Sequence, residues 1–383
     1  MIGPRPLRAL VALAGAGLVV ALVAVAYLHP RPAGRPLPRP TANPSQIGVV
    51  RLTGFGVVSA TEALACTQTG GTAYLYWTAD AGRTWRQLPI PLLYDDTFGI
   101  QAIDRTHAVL QLGKGLYSTG DGGRTWRRVP LPAGEMYGPG AHFLSPSEGW
   151  YLDLQVDPAS SEQPTALWWT SDGGASWTER WRVNADHPLS GGVPLDGDKY
   201  VLAFRDAAHG WLTVSFVHSA RLLATSDGGR TWSDVSLPLG GPVLFLDLQL
   251  ARDGAAVLVA LAGTTYLAVP SLDGGRTWEE PRALPIAAPA PGGSASRLSV
   301  IDHDHWAVAA GATVRVTADA GRSWRDIATA LPGGITALQD VWLTAAGEGW
   351  ATTDHGSTAD LRVLHTTDGG ARWSESHVPY VPG

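Results

Sequence analysis

The chain has 383 residues, among them 46 glycines and 16 tryptophans, and only 16% of its residues are charged. This composition is typical of many short strands joined by tight turns, so we predict an all-β protein without long solvated helices. Five of the 28 basic residues lie within the first 40 positions, which contain no acidic residue, so the remaining chain has 23 basic and 34 acidic residues. Such an acidic domain lacks the basic surface that nucleic-acid binding requires, and we expect no nucleic-acid partner.

The N-terminus consists of a short tail, residues 1–8, and an apolar run over residues 9–28. The run has no charged side chain and follows Arg5 and Arg8. Twenty helical residues span about 30 Å, the thickness of the hydrocarbon core of a bilayer. We therefore predict a cytoplasmic N-tail (1–8) and a transmembrane signal anchor (9–28). A cleaved signal peptide is the alternative, because Ala24-Val25-Ala26 fits a small-residue cleavage site.

Both interpretations place the rest of the chain outside the cytoplasm, either anchored in the membrane or secreted. Residues 29–46 form a Pro-rich linker, with six prolines from Pro30 to Pro44. Proline favours an extended, semi-rigid chain and supports neither a helix nor a central strand. The linker is predicted to be a stalk that holds a folded domain off the membrane, or a tether without a recognition role.

A heptapeptide, best represented by Ser226 to Trp232, recurs seven times in the rest of the chain. Each copy has an Asp, a Gly two positions later and a Trp five positions after the Asp. In chain order the pairs are Asp80 and Trp85, Asp121 and Trp126, Asp172 and Trp177, Asp227 and Trp232, Asp273 and Trp278, Asp319 and Trp324, and Asp368 and Trp373. Recurrence of this kind indicates a repeat architecture.

The spacing of the copies predicts the blades of a propeller. Successive repeat aspartates are separated by 41 residues (Asp80 to Asp121) to 55 residues (Asp172 to Asp227). That interval accommodates four short strands and their turns. We predict that residues 47–383 form a seven-bladed β-propeller with four-stranded antiparallel blades. In each blade the motif would be a structural turn, where Asp accepts hydrogen bonds from amides, Gly allows positive φ and Trp packs over the hairpin.

A second periodic feature precedes most copies and is predicted at the turn between the first and second strands. It is a four-residue segment that ends in His or Glu and is followed, in its fullest form, by Gly-Trp. The members are Asp104 to His107, Ser145 to Trp150, Asp206 to Trp211, Asp302 to Trp306 and Ala345 to Trp350, with Ser59 to Glu62 as a weaker one. In an up-and-down blade this corner turn and the Asp turn lie on one face.

The remaining loops lie on the opposite face and vary in length. The longest are predicted at Gln155 to Thr165, Asn184 to Asp198, Ala283 to Ser296 and Asp354 to Asp360. Because function concentrates on loops carried by a rigid scaffold, this variable face is the predicted binding face.

The sevenfold pattern S-x-D-x-G-x-T-W resembles the Asp-box, also called the bacterial neuraminidase repeat. Together with the corner turns it is similar to the propellers of the photosystem II stability and assembly-factor family, over residues 47–378. The resemblance implies the propeller fold and, from the assembly factors, a protein partner. Asp-boxes also occur in sialidases, other glycosidases and sorting receptors, so the motif by itself does not define the function.

A sialidase-like glycoside hydrolase or a carbohydrate-binding propeller is the alternative. Sialidases that share the Asp-box have an Arg-Ile-Pro motif ahead of the first box, an arginine triad and a Tyr/Glu nucleophile pair. Here the nearest arginine ahead of the first box, Arg51, stands in Val-Arg-Leu-Thr. The acids Glu135, Glu179 and Glu279 are candidates for the carboxylates of a glycosidase, but the sequence pairs none of them with a tyrosine.

The segment Asp302-His303-Asp304-His305 contains residue types that bind metals. Asp302 and His305, however, match the corner positions of Asp104 and His107, so a hydrogen bond between His and carboxylate is favoured over a metal site. We expect no catalytic residue, cofactor or metal site. The predicted function is a non-enzymatic, membrane-anchored scaffold that binds protein partners in the assembly or stability of a membrane or envelope complex.

Overall fold

The computed structural model describes residues 51–69, 72–90, 97–112, 114–132, 140–155, 162–216, 218–251, 253–286, 298–353 and 362–379. In these ranges the regular structure is β-strand, and no helix is long and apolar enough to cross a membrane. The predicted N-tail, signal anchor and Pro-rich linker of residues 1–46 lie outside the described residues.

Seven four-stranded antiparallel sheets make up the described chain, which confirms the predicted all-β seven-bladed propeller. Blade 1 contains β1 (Arg51–Val57), β2 (Ala63–Thr69), β3 (Thr72–Thr78) and β4 (Arg86–Leu88). Blade 2 contains β5 (Thr97–Ala102), β6 (Ala108–Leu112), β7 (Gly115–Thr119) and β8 (Arg127–Val129). Blade 3 contains β9 (Gly140–Phe143), β10 (Gly149–Leu154), β11 (Thr165–Thr170) and β12 (Thr178–Val183).

A two-stranded hairpin, β13 (Leu189–Ser190) and β14 (Val193–Pro194), connects blades 3 and 4. Blade 4 contains β15 (Asp198–Phe204), β16 (Gly210–Phe216), β17 (Ser219–Thr225) and β18 (Ser233–Asp234). Blade 5 contains β19 (Phe245–Leu250), β20 (Ala256–Ala262), β21 (Thr265–Ser271) and β22 (Arg282–Ala283). Blade 6 contains β23 (Leu298–Val300), β24 (Trp306–Ala310), β25 (Thr313–Thr317) and β26 (Arg325–Ile327). Blade 7 contains β27 (Leu338–Leu343), β28 (Gly349–Thr353), β29 (Val363–Thr366) and β30 (Ser374–Ser376).

The strands are buried according to their place in the blade. First strands of adjacent blades contact one another, as β1 and β5 or β19 and β23 do, so they form the inner ring. Second strands are largely apolar and buried, and all six residues of β10 are buried. Fourth strands other than β12 have only two or three residues, and β4 leaves two of its three residues exposed. Because neighbouring blades cover both faces of each sheet, the middle strands lose the apolar-polar alternation of a one-sided sheet.

The hydrophobic core lies between the blades. In the described residues seven buried clusters occur, one at each junction of adjacent blades. Every motif tryptophan packs at the junction with the preceding blade, as Trp232 does between blades 3 and 4 and Trp373 between blades 6 and 7. Each blade is therefore stabilised by its two neighbours, as in other repeat proteins.

The ring closes without exchange of a strand, because blade 1 is built from β1–β4 and blade 7 from β27–β30. The closing junction is held by side chains. Ser376 donates a hydrogen bond to the Gly82 carbonyl (2.9 Å) and accepts one from Nε1 of Trp85 (2.9 Å). Trp350 donates from Nε1 to the Ser59 carbonyl (3.1 Å), and Phe55 packs against its ring.

Side chains at one register position of the first strands form hydrogen bonds to the backbone of the next blade. The Gln101 side chain donates to the Phe143 carbonyl (2.8 Å) and accepts from the Phe143 amide (2.9 Å) of the next blade. At the equivalent positions, His142 contacts the Phe204 carbonyl (3.1 Å) and the Ser299 hydroxyl accepts from the Leu343 amide (3.3 Å). These hydrogen bonds satisfy inner-edge backbone groups that have no further strand to pair with.

Candidate functional site

The corner turns and the Asp turns lie on one face of the ring, where they bond to each other directly. In blade 4 the Gly228 amide donates to the Ala208 carbonyl (2.9 Å). The same bond occurs in blades 1, 2, 3, 6 and 7, from Ala81 to Thr61, Gly122 to Thr106, Gly173 to Ser147, Ala320 to Asp304 and Gly369 to Gly347. The loops between second and third strands consequently lie on the opposite, variable face.

Each predicted motif aspartate lies at the turn between the third and fourth strands of its blade. Asp227 accepts hydrogen bonds at Oδ1 from the Thr231 amide (2.9 Å) and at Oδ2 from the Thr231 hydroxyl (2.6 Å). Gly228 and Gly229 have φ of 74° and 87°, the left-handed region that glycine adopts without strain. The aspartates of the other six copies accept from the same backbone position.

The hydrogen bonds of the turns keep the aspartates ionised. Bonds from the Thr125 hydroxyl and amide lower the pKa of Asp121 to about 2, and bonds from Ser323 do the same for Asp319. For Asp227, burial acts in the opposite direction, yet bonds from Thr231 and Thr225 still lower the pKa to about 2. A carboxylate with saturated acceptor sites is a poor general acid or base at neutral pH.

The first position of the S-x-D-x-G-x-T-W pattern also belongs to every turn. The Thr225 hydroxyl donates to Asp227 Oδ1 (2.8 Å) and accepts from the Gly229 amide (3.0 Å). A threonine or serine stands two positions before the aspartate in all seven copies, at 78, 119, 170, 225, 271, 317 and 366. What the structure adds is its role, because this hydroxyl bonds to the aspartate in every copy.

The predicted pairs of Asp and His at the corners form hydrogen bonds. Nδ1 of the histidine lies 2.9 Å from a carboxylate oxygen in the pairs of Asp104 with His107 and Asp206 with His209, and 2.8 Å in that of Asp302 with His305. Trp306 departs from the expected register, because it pairs with Val300 at the position that Gly210 occupies in blade 4. Within the described ranges, no group of three or more His, Cys, Asp or Glu side chains is arranged to hold a metal ion.

The two candidate glycosidase acids within the described residues, Glu179 and Glu279, lie in blades 3 and 5. Glu179 lies on the outer strand of blade 3 and bonds to Arg182 (2.7 Å). Glu279 lies after the Asp turn of blade 5 and forms an ion pair with Arg282. Glu135 lies outside the described residues. The two described acids belong to different blades and each is paired with an arginine, so they do not form the facing carboxylates of a glycosidase.

One long connection begins and ends on the variable face and folds into a structure of its own, whose hairpin turn reaches the Asp turn of blade 4. The connection from blade 3 to blade 4 forms the hairpin β13–β14, and the Asn184 amide and carbonyl bond to His187. The hairpin docks on blade 4, where the Trp232 amide donates to the Gly191 carbonyl (2.6 Å). We call residues 184–198, with the adjoining 162–165 of blade 3, the blade 3–4 lobe.

A buried lysine holds the blade 3–4 lobe together. The Lys199 ammonium, whose residue is 1% exposed, donates to the carbonyls of Leu195 (2.8 Å), Gly197 (2.9 Å), Asp196 (3.3 Å) and Gln163 (3.4 Å). The Lys199 amide also donates to the Gln163 side chain (2.8 Å). Burial lowers the pKa of Lys199 to about 8, so the ammonium is charged at neutral pH and compensated by these carbonyls.

The blade 3–4 lobe exposes one large apolar side chain, in strand β13, and several acidic residues. Leu189 is 68% exposed, which is the largest exposure of a large hydrophobic residue in the described chain. The exposed residues near it in sequence include Asp186, Asp196 and Asp198. The lobe thus exposes the apolar side chain of Leu189 and three carboxylates, those of Asp186, Asp196 and Asp198. The other three predicted variable loops fall largely on residues 156–161, 287–297 and 354–361, which lie outside the described residues.

No protein-family model matches the sequence, and the search of curated proteins finds no match either. The fold does have similar solved structures. A structure of YCF48 bound to D1 peptide aligns with a TM-score of 0.54 and 14% identity, covering 84% of this chain and 94% of the other. YCF48 from Cyanidioschyzon merolae aligns with a TM-score of 0.54 and 13% identity, covering 83% and 95%.

A puromycin hydrolase is also similar in fold, with a TM-score of 0.56 and 14% identity. The alignment covers 87% of this chain but 54% of the hydrolase. YCF48 and a hydrolase are thus both similar to this chain, so at these identities the similarity concerns the fold alone.

Proposed function

We propose that the chain is a non-enzymatic scaffold, anchored in the membrane by residues 9–28, whose propeller lies outside the cytoplasm and binds a protein partner. Its role would be the assembly or stability of a membrane or envelope complex. The observation that carries the proposal is the blade 3–4 lobe, a long connection on the variable face that is folded and fastened by Lys199. Long connections that have their own structure are more often functional than spacers.

Three features support a protein as the partner. The exposed Leu189 suits a hydrophobic contact, and the exposed carboxylates of Asp186, Asp196 and Asp198 suit a basic or polar surface. The rigid backbone lowers the entropy that binding would otherwise cost. YCF48, which has a similar fold, has been determined with a bound D1 peptide, a precedent for peptide recognition by such a propeller.

The proposal is tested by site-specific photo-crosslinking in membranes that contain the full chain. A photoreactive residue at position 189 should give a discrete protein adduct, and Leu189→Asp should abolish stoichiometric co-purification of that protein. The matched control is position 272, because Leu272 is also exposed (46%) but lies in the Asp turn of blade 5, outside the blade 3–4 lobe. Equal adducts from both positions, or none, would refute the lobe as the binding site.

The location and the glycosidase alternative have separate tests. Alkaline extraction of membranes should leave the full chain in the pellet with residues 1–28 still attached, whereas a mature N-terminus after Ala26 would establish the secreted form. Turnover of a sialoside or other glycoside by the purified chain would displace the scaffold proposal. An enzyme would also retain its turnover after Leu189→Asp, which separates the two functions.

A further inference from the structure

A cavity of about 320 Å³ lies between blades 2 and 3, on the face of the Asp turns. It is lined by Val109, Ser118 and Arg127 of blade 2, and by Phe143, Pro146 and Gly173 of blade 3, among others. Gly120 and Thr125 also line the cavity and are exposed, so the cavity can be reached from solvent. It is distinct from the blade 3–4 lobe, which belongs to the connection between blades 3 and 4.

The repeats indicate what such a space normally contains. Val109 occupies the register position that is Trp150 in blade 3, Trp211 in blade 4 and Trp350 in blade 7. At the junction of blades 1 and 2 the corresponding space is filled by Trp77. At the junction of blades 5 and 6 it is filled by Trp306. The junction of blades 6 and 7 has Ala307 in this row and is closed by aliphatic residues, including Val316, Ile327 and Leu343.

At the junction of blades 2 and 3, blade 2 provides no indole in this row. Opposite Val109 on the third strand stands Ser118, where blade 3 has Trp169 opposite Trp150. The walls on the side of blade 3 are nevertheless those of an indole site. Phe143 corresponds to Phe204, which stacks on Trp150 with centroids 3.7 Å apart and the planes 6° apart.

The hydrogen-bonding group of the indole site is also present. Trp150 donates from Nε1 to the Gly228 carbonyl (3.1 Å), and the corresponding carbonyl of blade 3 is that of Gly173, which lines the cavity. Nη2 of Arg127 donates to this carbonyl (3.1 Å), which leaves its second lone pair for another donor. The Arg127 guanidinium can in addition lie over the face of an aromatic ring.

We propose that this cavity is a binding site for a planar aromatic group with an N–H donor, best matched by an indole, supplied from outside the chain. The ring would stack on Phe143 and donate to the Gly173 carbonyl, as Trp150 does at the next junction. A cavity of about 150 Å³ accommodates benzene, so this one has room for a bicyclic ring. The indole could belong to a tryptophan of a partner polypeptide or to a free small molecule, and the experiment separates the two.

The probes are free indole and a blocked Ala-Ala-Trp-Ala-Ala peptide, with the corresponding Leu peptide as a control. Saturation-transfer NMR on the intact chain at up to about 5 mM probe detects the weak binding expected of so few atoms. Val109→Trp and Ser118→Trp each introduce an indole into the row, as blades 3 and 1 do. Each should reduce binding by at least about tenfold while the thermal midpoint is maintained or raised. Ser233→Trp, on the exposed outer strand of blade 4, controls for an added tryptophan.

The site is supported if both probes bind the native chain and if Val109→Trp and Ser118→Trp each abolish that binding. A stronger signal from the Trp peptide than from free indole would assign the site to a polypeptide. Binding of free indole alone would assign the site to a small aromatic ligand. Absence of binding by both probes, or binding that survives in the folded Val109→Trp and Ser118→Trp chains, would overturn the proposal. Neither result depends on the partner of the blade 3–4 lobe.

Discussion

The Ser376 hydroxyl joins the last strand of the propeller to the first Asp turn, by donating to the Gly82 carbonyl and accepting from the Trp85 indole. Gly82 and Trp85 precede Ser376 by 294 and 291 residues in the chain, so these bonds form only when the ring is closed. Ser376 is 3% exposed, and water cannot replace it without rearrangement.

We therefore expect Ser376→Ala to lower the free energy of unfolding by about 1–3 kcal/mol, because it leaves a buried carbonyl and a buried N–H without their partner. Urea unfolding followed by tryptophan fluorescence measures the change. The control is Ser374→Ala in the same strand, whose hydroxyl bonds to His365 within blade 7 and is exposed. If the two variants were equally stable, closure by Ser376 would be disproved.

The Gln101 amide makes a two-way bond with the backbone of Phe143 in the next blade, whereas Gln249, at the same register position in blade 5, bonds to Asp247 of its own strand. Gln101→Ala should therefore destabilise the chain by about 1–2 kcal/mol, and Gln249→Ala by less than about 0.5 kcal/mol. Differential scanning calorimetry on both variants checks the contrast. A larger loss for Gln249→Ala would contradict the inter-blade role.

Asp227→Asn removes the acceptor for the Thr231 hydroxyl, because an amide nitrogen donates and does not accept. The expected result is a lower unfolding midpoint in urea with no loss of partner binding at the blade 3–4 lobe. Asp186→Asn, on an exposed turn of that lobe, is the stability control. Loss of binding by a folded, equally stable Asp227→Asn chain would contradict the predicted structural role of the motif.

Ala81 has a φ of 60° at the position after the motif aspartate, where five of the other copies have glycine. Ala81→Gly should stabilise the chain by up to about 1 kcal/mol, because relief of the left-handed strain exceeds the entropy that glycine loses on folding. Thermal unfolding of the variant measures the gain. As a control, Ala79→Gly in the same turn should give no gain in stability, because the φ of Ala79 is not positive.

Acid should weaken the fold. The motif aspartates have a folded-state pKa below the ordinary 3.8, at about 2 for Asp121, Asp172 and Asp319. The unfolded chain therefore binds more protons between the two values, so the stabilisation is present above about pH 4 and is lost as the pH falls towards 2. Urea midpoints at about pH 6 and about pH 3 should differ in that direction, and the Asp227→Asn chain should lose less.

Lys199 should make the free energy of unfolding depend on pH in the alkaline range. Its folded-state pKa of about 8 lies below the ordinary 10.5, so between these values the unfolded chain holds the proton more strongly. This group makes the free energy of unfolding rise as the pH increases from about 8 to about 10, where deprotonation relieves the buried charge. Hydrogen exchange of the amides in the blade 3–4 lobe should be faster in Lys199→Met than in the native chain, because methionine cannot donate to the lobe carbonyls. Equal exchange rates would contradict the role of the ammonium in holding the lobe.

The sequence was sufficient for the repeating part of the structure. The motif from Asp227 to Trp232 is satisfied by neighbours within a few residues, apart from the tryptophan, so its recurrence predicts turn, blade and blade number. The Asp and His pairs of the corners are local for the same reason. The threonine or serine two positions before each aspartate, such as Thr225, is also part of the recurring pattern.

What distinguishes one blade from another was decided by tertiary structure. Ser376 meets Gly82, Lys199 meets the carbonyls of the lobe, and Val109 faces Phe143 only because adjacent blades bring distant segments together. The sequence contains Val109 where other repeats have tryptophan, but whether a neighbouring side chain fills the space, as Trp306 does against Val257, depends on packing between blades. Turns follow from local hydrogen bonds, whereas cavities and ring closure follow from non-local contacts, which a single sequence does not specify.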